Sequence, residues 1–284
     1  MHTIRSVLII ANTGKPDAER LSTEMERFFS DQGIACTAFR YTGVAHSIPI
    51  ENGYDLAITL GGDGTVLFAS RVLAAHDVPI LPVNLGDFGF ISEIGHHEWQ
   101  KAFFAFQRGD IRSGGRLVLE VCVHRQGEDL CRFRGLNDAV VSSEGISRMV
   151  RLTVSLGDQF LGGYKADGVM VATPTGSTAY SAAAGGPILH PEMEALILNP
   201  ICPFTLSHRP IVLPGTEEIR ISVDSAQRTR VALTVDGQSL TPLEEGDSIT
   251  VRASQEKAYI VRSDQRTFYE VLRAKLNWSG GNRD

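Results

Sequence analysis

Four cysteines are few for a chain of 284 residues, and Cys36, Cys122, Cys131 and Cys202 form no CxxC pair. That count is too sparse for a disulfide scaffold and reads as reduced thiols in a cytoplasmic protein. No apolar run approaches the roughly 18 residues that a membrane-spanning helix needs. Val7-Leu8-Ile9-Ile10-Ala11, near the start, is also too short for the apolar region of a secretory signal. A basic surplus is missing: 27 Lys and Arg stand against 33 Asp and Glu, a net charge of −6. Nucleic-acid binders draw affinity from counterion release at phosphates, so an acidic chain argues against that class. Two phosphate-binding signatures are absent as well. No GxGxxG follows the first apolar run, and Gly14-Lys15-Pro16 lacks the upstream glycine and the hydroxyl residue of a Walker A loop. There is no repeat of solenoid period and no low-complexity linker.

What is present is an ordinary globular composition, 43% hydrophobic and 21% charged. At about 150 residues per domain, the length suits two domains. Up to residue 112, buried-strand runs (7–11, 55–60, 80–85) alternate with helical spacing (17–31, 96–107). A third helix follows Gly61-Gly62-Asp63-Gly64, with Thr65 placed to cap it. This alternation predicts an α/β domain with a Rossmann-like parallel sheet over residues 1–112. Over 113–261 the period changes to two, as in Leu117, Leu119, Val121 and Val123, or Val150, Leu152, Val154 and Leu156. That pattern predicts an all-β, sandwich-like domain. Residues 267–277 turn helical again, and the tail 262–284 is expected to pack back on the first domain, since a lone short helix is marginal in water.

The most informative stretch is 55–76, where a strand runs into three glycines around one acid and then a helix. Open α/β sheets bind ligands at the carboxyl ends of their strands, and a helix N-terminus offers N–H groups to phosphate. Asp63 adds a carboxylate suited to a base or metal role. Asn137 and Asp138 offer an amide and a carboxylate that can chelate vicinal sugar hydroxyls, although Asn-Asp is also an ordinary turn. Thr173 to Tyr180 offers hydroxyls and a glycine bend, a nest for a polar anionic ligand or a plain connector. His96-His97 lacks the spacing of a zinc pair. Phe103, Phe104 and Phe106 read as core.

Gly61-Gly62-Asp63-Gly64-Thr65 resembles the signature shared by NAD kinases, lipid kinases of the diacylglycerol and sphingosine type and, more loosely, phosphofructokinases. Two further stretches narrow the choice. Gly135-Leu136-Asn137-Asp138-Ala139 and the long run Asp167 to Ser181, followed by Gly185-Gly186-Pro187, are similar to NAD kinase motifs. So are Asn84-Leu85-Gly86 with Gly89-Phe90, and Val235-Asp236-Gly237-Gln238. The resemblance spans roughly 55–253 and implies transfer of the γ-phosphoryl of ATP to the 2′-hydroxyl of the adenosine ribose of NAD, in a site between the two domains. A lipid kinase is the alternative, disfavoured by the acidic chain without a membrane-seeking segment. A silent dinucleotide sensor should have lost the acid of the glycine turn.

By position, the resemblance implies Asp63 as catalytic acid–base residue, with Gly64 as the adjoining backbone contact. Asn137 and Asp138 match the ribose-contacting pair. Arg148, Lys165 and Asp167 fall where the family contacts the dinucleotide, Thr178, Ala179, Tyr180, Ser181, Ala182 and Ala183 where it lines the adenylate, and Gln238 at a further contact. Mg²⁺ would arrive mainly on ATP, with no protein metal cage. A homodimer or homotetramer is implied, with neither nucleic acid nor membrane as partner.

Overall fold

A strand buried on both faces must be apolar throughout, and the first such run, Val7 to Ala11, forms the middle of β1 (Ser6–Asn12). The computed structural model describes residues 2–277 except 44–47, 49, 51, 52, 145–148, 206, 226 and 228. It divides into two compact units: Met1–Gly115 with the segment from Lys257 onward, and Arg116–Glu256.

In the first unit β1 is followed by α1 (Ala18–Asp31), β2 (Ala35–Tyr41), β3 (Leu56–Gly61), α2 (Asp63–Leu73), β4 (Ile80–Asn84), β5 (Ile94–Gly95) and α3 (Trp99–Arg108). The strands lie parallel in the order β2-β1-β3-β4, with Ile9 opposite Ile58 and Ile58 opposite Leu81. Helix α1 buries Leu21, Met25 and Phe29, and α3 buries Trp99, Phe103 and Phe106 in the same core. The ring of Phe29 meets that of Phe103 edge-on at 5.1 Å. β2 is not among the strands expected from the sequence. Among the described residues it pairs with β1 alone, and it is half exposed, so no apolar run announces it. Helix α2 also begins earlier than expected. Its cap is Gly62, with no side-chain bond, and Thr65 lies within the helix, which places Asp63 in the first turn.

The second unit holds β6 (Ser113–Arg125), β7 (Glu128–Gly135), β8 (Asp138–Ser143), β9 (Val150–Leu156), β10 (Gln159–Ala166) and β11 (Gly168–Ala172). After a short α4 (Tyr180–Ala183) come β12 (Ala195–Ile201), β13 (Ile211–Pro214), β14 (Ile219–Val223), β15 (Val231–Val235), β16 (Ser239–Leu243) and β17 (Ser248–Val261). One antiparallel sheet runs β13-β12-β11-β8-β15-β16. It shares a core with the strands β6, β9, β14 and β17, through residues such as Val141, Val171 and Leu233 on one side and Leu119, Leu152, Ile221 and Ile249 on the other. This is a β-sandwich. Strands β6 and β17 each carry the chain across a unit boundary. Ile249 and Val251 pair with β14, whereas Ile260 lies opposite Ile80 of β4.

The last described helix is α5 (Phe268–Leu276), started by a capping box in which Thr267 and Glu270 bond each other's backbone N–H. The tail belongs to the first unit. Asp264 pairs with Lys101 at 2.8 Å, and Arg266 pairs with Glu98 at 2.8 Å.

Candidate active site

Asp63 stands where β3 ends and α2 begins, and the loop after β4 wraps its carboxylate. Backbone N–H groups of Phe90 (2.9 Å), Ile91 (3.3 Å) and Ser92 (3.0 Å) and the Ser92 hydroxyl (2.6 Å) all donate to it. The loop takes this shape because buried Asn84 bonds it from inside. Its amide donates to Asp87 O, Ser92 O and Ser92 Oγ, and its Oδ1 accepts from Gly86 N. Asn84 thus orients the Ser92 hydroxyl toward Asp63. A Cβ on Gly89 would stand 1.8 Å from Asp63 Oδ1, so only glycine fits there with the acid in this position.

The tail braces the same loop from outside. Arg266 lies over the Phe88 ring at 3.9 Å from its centroid and donates to Glu93 O and both oxygens of Glu98. Glu98 in turn accepts from Gly95 N, and the Arg266 bond holds its carboxyl below the ordinary value. Nothing in the residue pattern around 266 signals this contact.

In the second unit Asp138 starts β8 with Asn137 just before it, and their placement depends on Asp236. That carboxylate accepts backbone N–H bonds from Leu136 (2.9 Å), Asn137 (2.7 Å) and Asp138 (3.2 Å). Asp236 reaches them from the turn joining β15 to β16, where it and Gly237 both have left-handed φ values, 52° and 64°. Asp-Gly is suited to that conformation. The Val-Asp-Gly-Gln stretch therefore contributes a loop-shaping acid besides Gln238, which sequence reasoning misses because Asp-Gly looks like a plain turn. Asp138 is 6% exposed, and burial first and the Asp236 charge second push its carboxyl up to about 7. Asn137 Oδ1 is buried without a hydrogen-bond partner among the described residues.

The threonine-rich run is mostly spent on its own architecture. Thr173 Oγ1 donates to Leu136 O and accepts from Gly176 N, and Ser177 Oγ donates to Pro174 O and accepts from Leu189 N. These hydroxyls shape the loop rather than offering themselves to a ligand. Thr173 N bonds Asn137 O, so the run is tied to the Asn-Asp pair. A Cβ on Gly176 would meet Asn137 O at 2.0 Å. Of the residues 178–183, Ser181 is buried, with its carbonyl accepting from Asn199 at 3.1 Å, while Tyr180 is exposed. Lys165, exposed on β10, lies 4.6 Å from the Phe204 ring centroid, and Asp167 forms the bend between β10 and β11. Gln238 is half-buried in the Asp236 turn. Gly64 sits in the first turn of α2. Arg148 lies outside the described residues.

A glycine-framed acid opening a helix at the carboxyl end of a parallel strand, joined in one chain to a β-sandwich bearing a second acidic pair, defines a two-unit phosphotransferase. Residues 7–111 match the family model of the ATP-NAD kinase N-terminal domain, and 136–263 that of the C-terminal domain. The NAD kinase of Treponema denticola is 41% identical over 98% of both chains, and that of Solibacter usitatus is 37% identical over 98% of this chain and 99% of its own. Among solved structures, yeast NADH kinase complexed with NADH superposes with a TM-score of 0.83 at 27% identity, covering 99% of this chain and 89% of that one. An Archaeoglobus fulgidus NAD kinase in complex with ATP shares the fold, with a TM-score of 0.72 at 21% identity over 96% and 98% of the two chains. The chain belongs to the NAD kinase family. No relative here favours a lipid kinase. Among the described residues no helix is long and apolar enough to cross a membrane.

Proposed function

We propose that this enzyme phosphorylates the 2′-hydroxyl of the adenosine ribose of NAD, with MgATP as donor and NADP as product. The observation that carries the reading is the acceptor pair at the start of β8. A buried carboxylate stands beside a buried amide oxygen with no hydrogen-bond partner among the described residues, on a loop whose own N–H groups are already taken by Asp236. Vicinal ribose hydroxyls are donors that satisfy both, which relieves the cost of about 1–3 kcal/mol for leaving a buried acceptor unmet. Asp63 is the acid that takes the proton of the attacking hydroxyl as the phosphoryl group arrives. One such group contributes roughly 10²–10⁴-fold. Asp63 Oδ2 accepts from Phe90 N whereas Oδ1 accepts from Ile91 N, Ser92 N and Ser92 Oγ, so among these bonds Oδ2 is the less committed oxygen for that task.

Phosphoryl transfer is mainly positioning and charge stabilisation, and the magnesium is part of the substrate, carried on ATP phosphates. Lys165, Asp167 and Gln238 contact the dinucleotide, Arg148 joins them, and the 178–183 segment lines the adenylate through Thr178, Ala179, Tyr180, Ala182 and Ala183, with Ser181 holding it from beneath. The enzyme works in the cytoplasm as a homodimer or homotetramer, and partner copies cover sheet edges such as β10, β13 and β16. The test is NADP formation by the purified full chain with NAD and MgATP, read by an NADP-specific dehydrogenase. Phosphorylation of diacylglycerol, or no turnover with NAD and NADH, overturns the reading.

A further inference from the structure

A cluster of metal-binding side chains lies on the hairpin β6–β7. Cys122 and His124 are two residues apart on β6 and share a face, and Asp129 of β7 stands opposite His124 in the ladder. His124 Nδ1 faces both neighbours, 4.0 Å from Cys122 Sγ and 2.8 Å from Asp129 Oδ1. All three ligand atoms lie within 4.8 Å of one another. Atoms bound to one tetrahedral zinc ion stand about 3.5 Å apart, given bonds of about 2.0–2.3 Å. The observed spacings bracket that value, so small side-chain shifts suffice.

The outer contacts fit a metal site as well. The other ring nitrogen, His124 Nε2, is 2.9 Å from Thr250 Oγ1 on β17. A ligating imidazole is usually oriented through its second nitrogen in this way. Asp129 uses Oδ2 for Arg132 and keeps Oδ1 for His124, so its carboxylate is also steered by a neighbour. Cys122 is buried at 5% exposure, whereas the His124 and Asp129 side chains are 26% and 44% exposed. The cluster is closed beneath and open above, with room for water as a fourth ligand.

We propose that Cys122, His124 and Asp129 bind one zinc-class divalent ion. A thiolate, an imidazole and a carboxylate form a borderline-soft set that selects Zn²⁺ over the Mg²⁺ brought by ATP. On binding, the Cys122 sulfur forms a bond to the metal and its proton leaves to solvent. The ion staples β7, which among the described residues pairs with β6 alone, and so secures a sheet edge by a device separate from the phosphoryl-transfer residues. A metal-free triad, with a proton where the ion would sit, is the competing arrangement.

The experiment uses the untagged full chain, stripped with chelator, dialysed and titrated with Co²⁺ alone and then Zn²⁺ alone. Expected is one equivalent of Co²⁺ with a near-ultraviolet thiolate-to-metal charge-transfer band, displaced by one equivalent of Zn²⁺. Cys122→Ser abolishes the band, and Thr250→Val weakens Zn²⁺ binding about 10–100-fold. Cys131→Ser retains it, because Cys131 packs toward the sandwich core. NADP formation by each variant reports that it is folded. If Cys122→Ser does not fold, His124→Ala and Thr250→Val carry the test. No charge-transfer band in the unaltered chain, or Zn²⁺ uptake indifferent to these substitutions, overturns the proposal in favour of the metal-free triad.

Discussion

In the first unit a Cβ on Gly89 would stand 1.8 Å from the Asp63 carboxylate; in the second, a Cβ on Gly176 would stand 2.0 Å from the carbonyl oxygen of Asn137. Each glycine closes a loop over a residue assigned to the reaction, yet the two press on different kinds of atom. A carboxylate can swing away about χ1, whereas a main chain fixed at both ends by a strand and a turn cannot. The acids differ too. Asp63 is surrounded by donors, and Asp138 by burial and a second carboxylate. The first loop is therefore built to hold an acid in place. The second is built to hold backbone in place while its acid stays under tension.

The largest expected effect breaks the first loop at its centre. Asp63→Asn removes basicity, and an amide cannot replace the carboxylate silently, because both oxygens accept N–H bonds and the new NH₂ would face a donor either way. A fall in kcat of at least about a hundredfold is expected, with KM for NAD changed only a few-fold. Steady-state kinetics check this. A loss confined to KM assigns Asp63 to substrate positioning instead.

The glycine pair comes next. Gly176→Ala forces backbone apart and is expected to cost about 1–3 kcal/mol of stability, with a raised KM for NAD as Asn137 shifts. Gly89→Ala is expected to cost less stability than Gly176→Ala and to lower kcat at least tenfold, as the Asp63 carboxylate rotates out of its cradle and its partly buried donors turn to solvent. Thermal unfolding and kinetics on both variants should give opposite signatures. Equal losses of stability would erase the distinction drawn between side chain and main chain.

Asp138→Asn sharpens the contrast between the acids. The folded protein holds the Asp138 proton up to about pH 7, while the unfolded chain releases it near the ordinary value of 3.8. Between those values the folded state binds more protons, so this residue's contribution to stability is lost as pH rises through 7. An amide carries no such charge. Of the roughly 4 kcal/mol that three pH units represent, most is offset by desolvation of the buried amide, leaving a net gain of about 1 kcal/mol at pH 8. Toward pH 4 the ionisation part disappears while the amide's desolvation cost stays, so the variant should become less stable than the parent by roughly 3 kcal/mol, while KM for NAD rises. Thermal melts at several pH values check the sign, and a variant less stable than the parent at pH 8 would show that burial and Asp236 together do not penalise the ionised carboxylate.

Much of this architecture is legible in the order of the residues alone. Strands β1, β3 and β4 show as continuous apolar runs because both their faces are covered, and Asp63 shows through the glycines around it. Edge strand β2 does not, since exposed Thr37 and Arg40 interrupt its apolar residues. Nor do the donors that hold Asp63, because backbone N–H groups of Phe90, Ile91 and Ser92 carry no residue identity. The hydroxyls of Thr173 and Ser177 invite a ligand reading, but a buried loop must satisfy its own carbonyls and N–H groups first. Asp236 is visible only as half of a turn dipeptide, because what it caps lies about a hundred residues away in the chain.

The smallest expected effect lies at the outside of the first loop, and it asks how far the Asp63 cradle depends on the tail. Arg266 grips Glu98 with two nitrogens at 2.8 and 3.0 Å, donates to Glu93 O at 3.0 Å and covers Phe88. Its side chain is 28% exposed, so solvent screens the pair, and an exposed ion pair is worth about 0–1 kcal/mol. The forked geometry and the stacked ring favour the upper end of that range. If Arg266→Ala passes that energy to the loop, kcat falls about fivefold, the equivalent of roughly 1 kcal/mol. Because the residues proposed to hold NAD lie in the other unit, KM for NAD should stay constant. Arg266→Lys keeps the charge but loses the fork, and is expected to recover only part of the rate. A variant that melts earlier yet turns over at the full rate would show that the brace holds the tail alone, and that Asn84 and Ser92 suffice to keep Asp63 in place.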